Sequence, residues 1–232
     1  MEELNRKVVL RDGDCSGCGG SWEVPAGGTL ELYQLCTAGR HEVRLSVGEG
    51  GKAKVVFAAV PESEVEYDYE IGLNGEGADV ELYGLIMATG GRKARVRTAL
   101  RHNVGGCHSD QQVRGVASEG GYGLFDGLVY VAQDAQKTEA YQQSRNLLLD
   151  RTGRIETQPQ LEIYADDVKC SHGATVGQMG DEQIYYMRQR GLSEEAARRL
   201  QLGGFVGAIL DHVEDEVLRE EFEMLIEKCT TF

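Results

Sequence analysis

The chain has 232 residues, 38 of them acidic against 24 Lys and Arg, for a net charge of −14. A surface that negative repels phosphate backbones and anionic headgroups, which removes nucleic acid and membrane surfaces from the expected partners. With 31 Gly, 3 Pro and 41% hydrophobic residues, the composition fits a turn-rich folded protein and excludes a Pro-rich disordered one.

Residues 1–28 read as an N-terminal arm. The opening Met1-Glu2-Glu3-Leu4-Asn5-Arg6 lacks the apolar core of a signal peptide, and no later stretch approaches 18 uncharged apolar residues. A cytoplasmic protein with free thiols is therefore expected. Within the arm, Cys15-Ser16-Gly17-Cys18 forms a C-x-x-C, which can supply half a zinc site or a redox pair. No second pair follows at zinc-finger spacing, and only Cys36 and His41 lie within reach. The competing reading is a Gly-flanked turn with two ordinary thiols.

Residues 29–178 are dominated by short runs of period-2 alternation. Val43-Arg44-Leu45-Ser46-Val47 and Val65-Glu66-Tyr67-Asp68-Tyr69-Glu70-Ile71 each place apolar side chains on one face and polar or charged ones on the other, the pattern of half-buried strands. The doublets Gly90-Gly91, Gly105-Gly106 and Gly120-Gly121 fall at regular intervals, each with room for one or two short strands and a corner. Short strands persist without an intervening helix, and two-residue Asn-Gly type hairpin signals are nearly absent, Asn74-Gly75 being the clear exception. The expected fold class is therefore mainly β, with a parallel β-helix core, and an antiparallel sandwich is the competitor.

Residues 179–232 switch to helical period. Asp181 is an expected N-cap for a helix over 182–190, Gly191 an expected C-terminal stop, and Ser193 the cap of a second helix that opens with Glu194 and Glu195. Gly203-Gly204 is expected to break or kink that second helix. Leu218, Phe222, Leu225, Ile226 and Cys229 form one apolar stripe of a third helix.

Two segments carry candidate chemistry. His102 and His108 bracket Cys107, a donor set that suits a transition metal but also fits a strand, a corner and a strand. Cys170 and His172 lie two residues apart, so in an extended strand a thiolate and an imidazole point to the same side and can meet one metal. Lys169 would favour the thiolate, and Asp166 or Asp167 would orient the imidazole. Two ligands leave a site open, to be completed from elsewhere in the fold or across a subunit interface. The alternative is a packed cysteine and a hydrogen-bonded histidine. The G-x-S-x-G, Walker A and H-E-x-x-H motifs are missing, so hydrolase, nucleotide-binding and zincin readings lack their minimal parts. A β-helix enzyme acting on carbohydrate is the remaining catalytic alternative.

Three stretches resemble the SufB/SufD family of iron–sulfur cluster assembly proteins, and its SufD branch more than SufB. They are Ser144-Arg145-Asn146-Leu147-Leu148-Leu149, the run from Gln158 to Gly177 that contains Cys170-Ser171-His172-Gly173-Ala174-Thr175, and Asp181-Glu182-Gln183-Ile184-Tyr185-Tyr186-Met187-Arg188. The resemblance implies a right-handed parallel β-helix followed by a helical C-terminal domain. It also implies a non-catalytic subunit that pairs with a SufB/SufD-type core, or with a second copy, and docks a SufC-type ABC ATPase that carries the nucleotide. Cys170 and His172 then fall near the core-to-core interface, where they would handle iron or a transient iron–sulfur cluster. Asp181, Glu182, Ile184, Tyr185, Arg188, Leu192 and Leu200 are the expected ATPase contacts; the same tail could instead cap the open end of the solenoid. The sequence departs from the family in two places. The usual N-terminal helical region is expected to be missing or reduced to a short arm, and Asp150-Arg151-Thr152-Gly153-Arg154-Ile155 lacks the cysteine of SufB-type scaffolds.

Overall fold

A computed structural model describes residues 5–11 and 19–229. Among the described residues, thirteen strands precede three helices. The strands are β1 (Asn5–Arg11), β2 (Gly20–Val24), β3 (Thr29–Leu35), β4 (Gly39–Val47), β5 (Lys52–Ala59), β6 (Glu64–Leu73), β7 (Asp79–Ala88), β8 (Lys93–His102), β9 (His108–Ala117), β10 (Tyr122–Val131), β11 (Glu139–Leu148), β12 (Arg154–Ile163) and β13 (Lys169–Gln178). The helices are α1 (Asp181–Gln189), α2 (Glu194–Leu210) and α3 (Glu216–Glu227).

Consecutive strands alternate between two sheets. The odd-numbered strands form one seven-stranded sheet in chain order, and the even-numbered strands form a six-stranded one. The pairings are parallel throughout, which sets aside the antiparallel sandwich. The chain thus winds as a two-sheet β-solenoid. From β6 onwards, residues 29 to 32 apart stack on successive coils, as in the paired positions Asp79–His108 and Tyr122–Arg154. Each interval between Gly doublets holds one strand and one corner, half a coil. Gly90 and Gly91 adopt φ of 61° and 72°, the left-handed region glycine enters without steric cost. Glu119 takes a similar conformation at φ 52°, and Asp150 on the next coil accepts its backbone N–H at 2.7 Å.

Two cores result. Between the sheets lie Leu32, Val55, Phe57, Tyr67, Ile71, Leu82, Val96 and Phe125, with Phe57 and Tyr69 stacked at 5.3 Å. The second core lies outside the odd-numbered sheet, where Tyr33, Val56, Ala58, Leu85 and Met87 meet Leu202, Val206, Ile209 and Phe222 of the helices. This explains a difference between the strands. β6 and β8 alternate because one face meets solvent, whereas much of β5 and β7 is buried on both faces and reads as continuous apolar runs. His212 stacks on Tyr83 at 3.4 Å, and Arg114 donates to the Phe205 carbonyl at 2.5 Å, fixing the helical layer to the sheet.

Several sequence expectations change. Strand pairing begins within residues 1–28: β1 pairs with β3 and β2 with β4, so the described part of the arm belongs to the solenoid. Cys15 and Cys18 lie outside the described residues. Asp181 does not cap α1; it is the first helical residue, and Gly180 holds the cap position without a side-chain bond. Ser193 does cap α2, accepting the Ala196 N–H at 3.1 Å. α2 runs unbroken through Gly203-Gly204, because its apolar face is held against the sheet and burial outweighs the glycine cost. The helical layer lies flat on one sheet and leaves the last coil uncovered.

A Cβ at Gly204 would meet nothing within 4 Å. Gly204→Ala is therefore expected to raise stability by about 0.5–1 kcal/mol, measured as a higher urea midpoint with an unchanged slope.

Candidate functional site

The open end of the solenoid is built from β12 and β13. Among the described residues no strand pairs beyond either of them. Register places Cys170 on Ala140, His172 on Gln142, Ala174 on Ser144 and Val176 on Asn146. Ala140, Gln142, Ser144 and Asn146 are buried, so their stacked neighbours face the same lumen. Yet His172, Ala174 and Val176 are exposed, Val176 by 47%, and Cys170 is half-buried. These positions would be core if another coil followed. Opposite them, Thr157, Pro159 and Leu161 are half-buried, with Ile163 and Tyr164 exposed beside them.

The structure thus brings Cys170 and His172 to one side of one strand. Lys169 points the other way and pairs with Glu139 at 2.6 Å. Burial pushes the Cys170 thiol up from its ordinary value, against the expectation that Lys169 would ionise it. Asp166 and Asp167 are exposed in the corner before β13, where Asp167 donates its N–H to Gln136 Oε1 and accepts from the Lys137 N–H. Neither has a described bond to His172.

Behind this rung the lumen turns polar. His102 Nε2 and Ser109 Oγ are hydrogen-bonded at 2.8 Å, Gln111 donates to Thr98 Oγ1 at 2.5 Å, and Gln142 donates to Gln111 Oε1 at 2.8 Å. Asn146 and Thr157 both donate to Ser144 Oγ. Three covered atoms, His102 Nδ1, Gln142 Oε1 and Asn146 Oδ1, lack a hydrogen-bond partner among the described residues. Each such atom costs roughly 1–3 kcal/mol. Sequence patterning missed this network because inward and outward positions of His108-Ser109-Asp110-Gln111-Gln112 are equally polar, so alternation gives no contrast. The usable signal was Gln111 and Gln142 stacked in register, which needs the coil length.

The other candidate sets disperse. His102 is buried in the lumen, Cys107 donates to the Gly75 carbonyl in a corner, and His108 faces outward, 2.8 Å from Asp79. Cys36 is buried, with its N–H donated to the Tyr67 hydroxyl, and His41 bonds the Ala38 carbonyl. Among the described residues no three His, Cys, Asp or Glu side chains converge to hold a metal ion. Glu64, Glu66 and Glu70 on the outer face are paired with Arg95, Arg97 and Arg101.

In the helical layer, Asp181, Glu182, Tyr185, Arg188, Leu192 and Leu200 are exposed, Tyr185 by 64% and Leu200 by 60%. Ile184 differs: at 5% exposure it belongs to the core beneath α1 and can only support a contact surface. A groove of about 610 Å³ runs between α2 and α3, lined by Leu202, Gly203, Val206, Gly207 and Ile226 among others. Among the described residues, no helix is long and apolar enough to cross a membrane.

A parallel β-solenoid with a helical layer on one sheet and a thiol and imidazole on its last coil is the class of protein these features define. Residues 33–205 match the family described as SUF system FeS cluster assembly, SufBD core domain, and the chain belongs to that family. It is 42% identical over 149 residues to the iron–sulfur cluster assembly protein SufD of Escherichia coli, covering 64% of this chain and 35% of that protein. The SufBD family protein Rv1462 of Mycobacterium tuberculosis is 32% identical over 98% of this chain and 61% of its own length. SufD of Bacillus subtilis is 25% identical over 78% of this chain and 41% of its own. The matched region thus spans less than two thirds of each of these relatives.

Desolvation, with the nearby His108 adding to it, pushes His102 down to about 4 from an ordinary 6.5. Below the unfolded value the unfolded chain binds a proton that the folded one refuses, so stability is full above pH 6.5 and falls as pH drops towards 4. Urea denaturation at pH 7.5 and 5.0 should show wild type losing about 2 kcal/mol more than His102→Gln over that interval.

Proposed function

We propose that the chain is a SufD-like, non-catalytic subunit of an iron–sulfur cluster assembly complex. Its last coil pairs with a SufB/SufD-type core, from a SufB-like partner or a second copy, and its helical layer binds a SufC-type ABC ATPase that carries the nucleotide. One observation carries this reading: the inward-facing side chains of β13 stand exposed where a further coil would bury them. A ten-residue strand that no other strand joins on its outer edge among the described residues favours strand addition by another chain. Cys170 and His172 lie in that strand. A soft thiol and an imidazole supply two positions of a metal's coordination shell, and groups from the covering core supply the rest. The iron or cluster is cargo held between chains, and taking it up displaces the Cys170 proton.

The helical layer offers a route for coupling. α2 packs on β7 and β9, which share a sheet with β13. Nucleotide state on the ATPase can move the paired cores only if one arrangement is favoured by a few kcal/mol. The exposed Tyr185, Leu192 and Leu200, flanked by Asp181, Glu182 and Arg188, supply mixed apolar and charged contacts for such docking.

Anaerobic co-purification with the SufC-type ATPase tests the docking. Wild type and His172→Ala should retain it, and a chain ending at Gly180 should lose it; retention by the shortened chain refutes the assignment. Cys170→Ala and His172→Ala should each lower iron retained by the assembled complex by about tenfold or more. Val176→Glu should change the stability of the isolated chain by less than about 0.5 kcal/mol while abolishing core pairing in sedimentation. Unchanged pairing would remove β13 from the interface.

A further inference from the structure

The hydrogen bonds in the polar lumen run in one direction. Gln111 Nε2 donates across the solenoid to Thr98 Oγ1, and Gln142 Nε2 donates along the stack to Gln111 Oε1. With Gln111 donating to Thr98, turning the Gln142 amide over alone would set two carbonyl oxygens against each other, so the two amides keep one common direction. The far side of the slot is closed by β10. A Cβ at Gly127 would stand 2.5 Å from Gln142 Nε2 and 2.5 Å from Phe125 Cζ, so the amide fits only because residue 127 has no side chain. Gln142 is 2% exposed, and its Oε1 is covered and accepts from nothing among the described residues. The next residue on the stack, in register, is His172.

We infer that Gln142 is a positioning residue for His172. The ladder Thr98–Gln111–Gln142 holds a carbonyl oxygen beneath the last coil, and the exposed imidazole of His172, which does not bond it in this arrangement, turns inward to donate its N–H to that oxygen. A neutral imidazole has one N–H and one bare nitrogen, and the bond made by one decides the state of the other. An oxygen that only accepts selects the protonated nitrogen facing it. The remaining nitrogen is left unprotonated and turned to the open end, ready to bind a metal or accept a proton. The ladder also limits the rotamers of a side chain that an exposed edge strand leaves free. The consequence for cluster handling rests on the reading of His172 given above; the hydrogen bond itself does not.

The test is nitrogen-15 NMR of the full chain labelled at histidine, at a pH about two units above the ordinary histidine value so that the ring is neutral. Wild type should favour one His172 tautomer. Gln142→Met, which keeps the volume and removes the acceptor, should shift the ratio by between about twofold and tenfold towards that of free imidazole in water. In parallel, iron retention by the assembled complex is measured for wild type, Gln142→Met and His172→Ala. Identical tautomer ratios in wild type and Gln142→Met overturn the positioning role, even if His172→Ala abolishes iron retention. A held tautomer together with normal iron retention in His172→Ala supports the hydrogen bond and instead removes the functional reading of His172. Should Gln142→Met fail to fold, the wild-type spectrum alone decides: a water-like ratio at His172 overturns the inference.

Discussion

A coil of a solenoid buries its inward side chains only when another coil lies on top of it. That constraint governs the whole molecule. Each strand of the two sheets supplies half the shelter of the next, through backbone bonds on one edge and packed side chains within. Where the stacking stops at β12 and β13, both kinds of shelter stop together, leaving unpaired backbone groups and exposed lumen side chains in one place. The end of the solenoid therefore differs from the rest of the surface for a physical reason.

The lumen changes character towards that end. Aromatic and aliphatic side chains fill the earlier coils, whereas Thr98, Ser109, Gln111, Gln142, Ser144 and Asn146 line the last ones. An apolar lumen running up to an uncovered end would expose a hydrophobic patch to water. A polar one tolerates water at its mouth and still holds its deeper members by mutual hydrogen bonds. Of the buried atoms without a partner among the described residues, His102 Nδ1, Gln142 Oε1 and Asn146 Oδ1 lie in this region, whereas Gln34 Nε2 and Gln201 Oε1 lie elsewhere.

The helical layer solves a separate problem. Much of β5 and β7 is apolar on both faces, and the outer face is covered by α2 and α3. This keeps the exposed surface of the odd-numbered sheet small while leaving the chain's end open, so a partner at β13 and a partner on the helices would occupy different surfaces. The ion-paired outer face of the even-numbered sheet is occupied by its own charges.

Some of this was legible in the residues alone. Alternation marked the strands and put Cys170 and His172 on one side, the glycine doublets marked the corners, and Ser193 announced α2, because each is a local property of the chain. The same alternation also places Lys169 on the opposite face from Cys170, a point that sequence proximity obscured. Other features belonged to the tertiary structure. Gln142 lies beneath His172 only because β12 and the two corners that flank it together have one particular length, and length in a corner carries no periodic signal. The unbroken α2 through Gly203-Gly204 depends on the sheet beneath it, and the raised thiol of Cys170 on burial by neighbours distant in sequence. Local pattern determines which way a side chain points, whereas what it points at is decided by register between coils, a sum over every intervening corner.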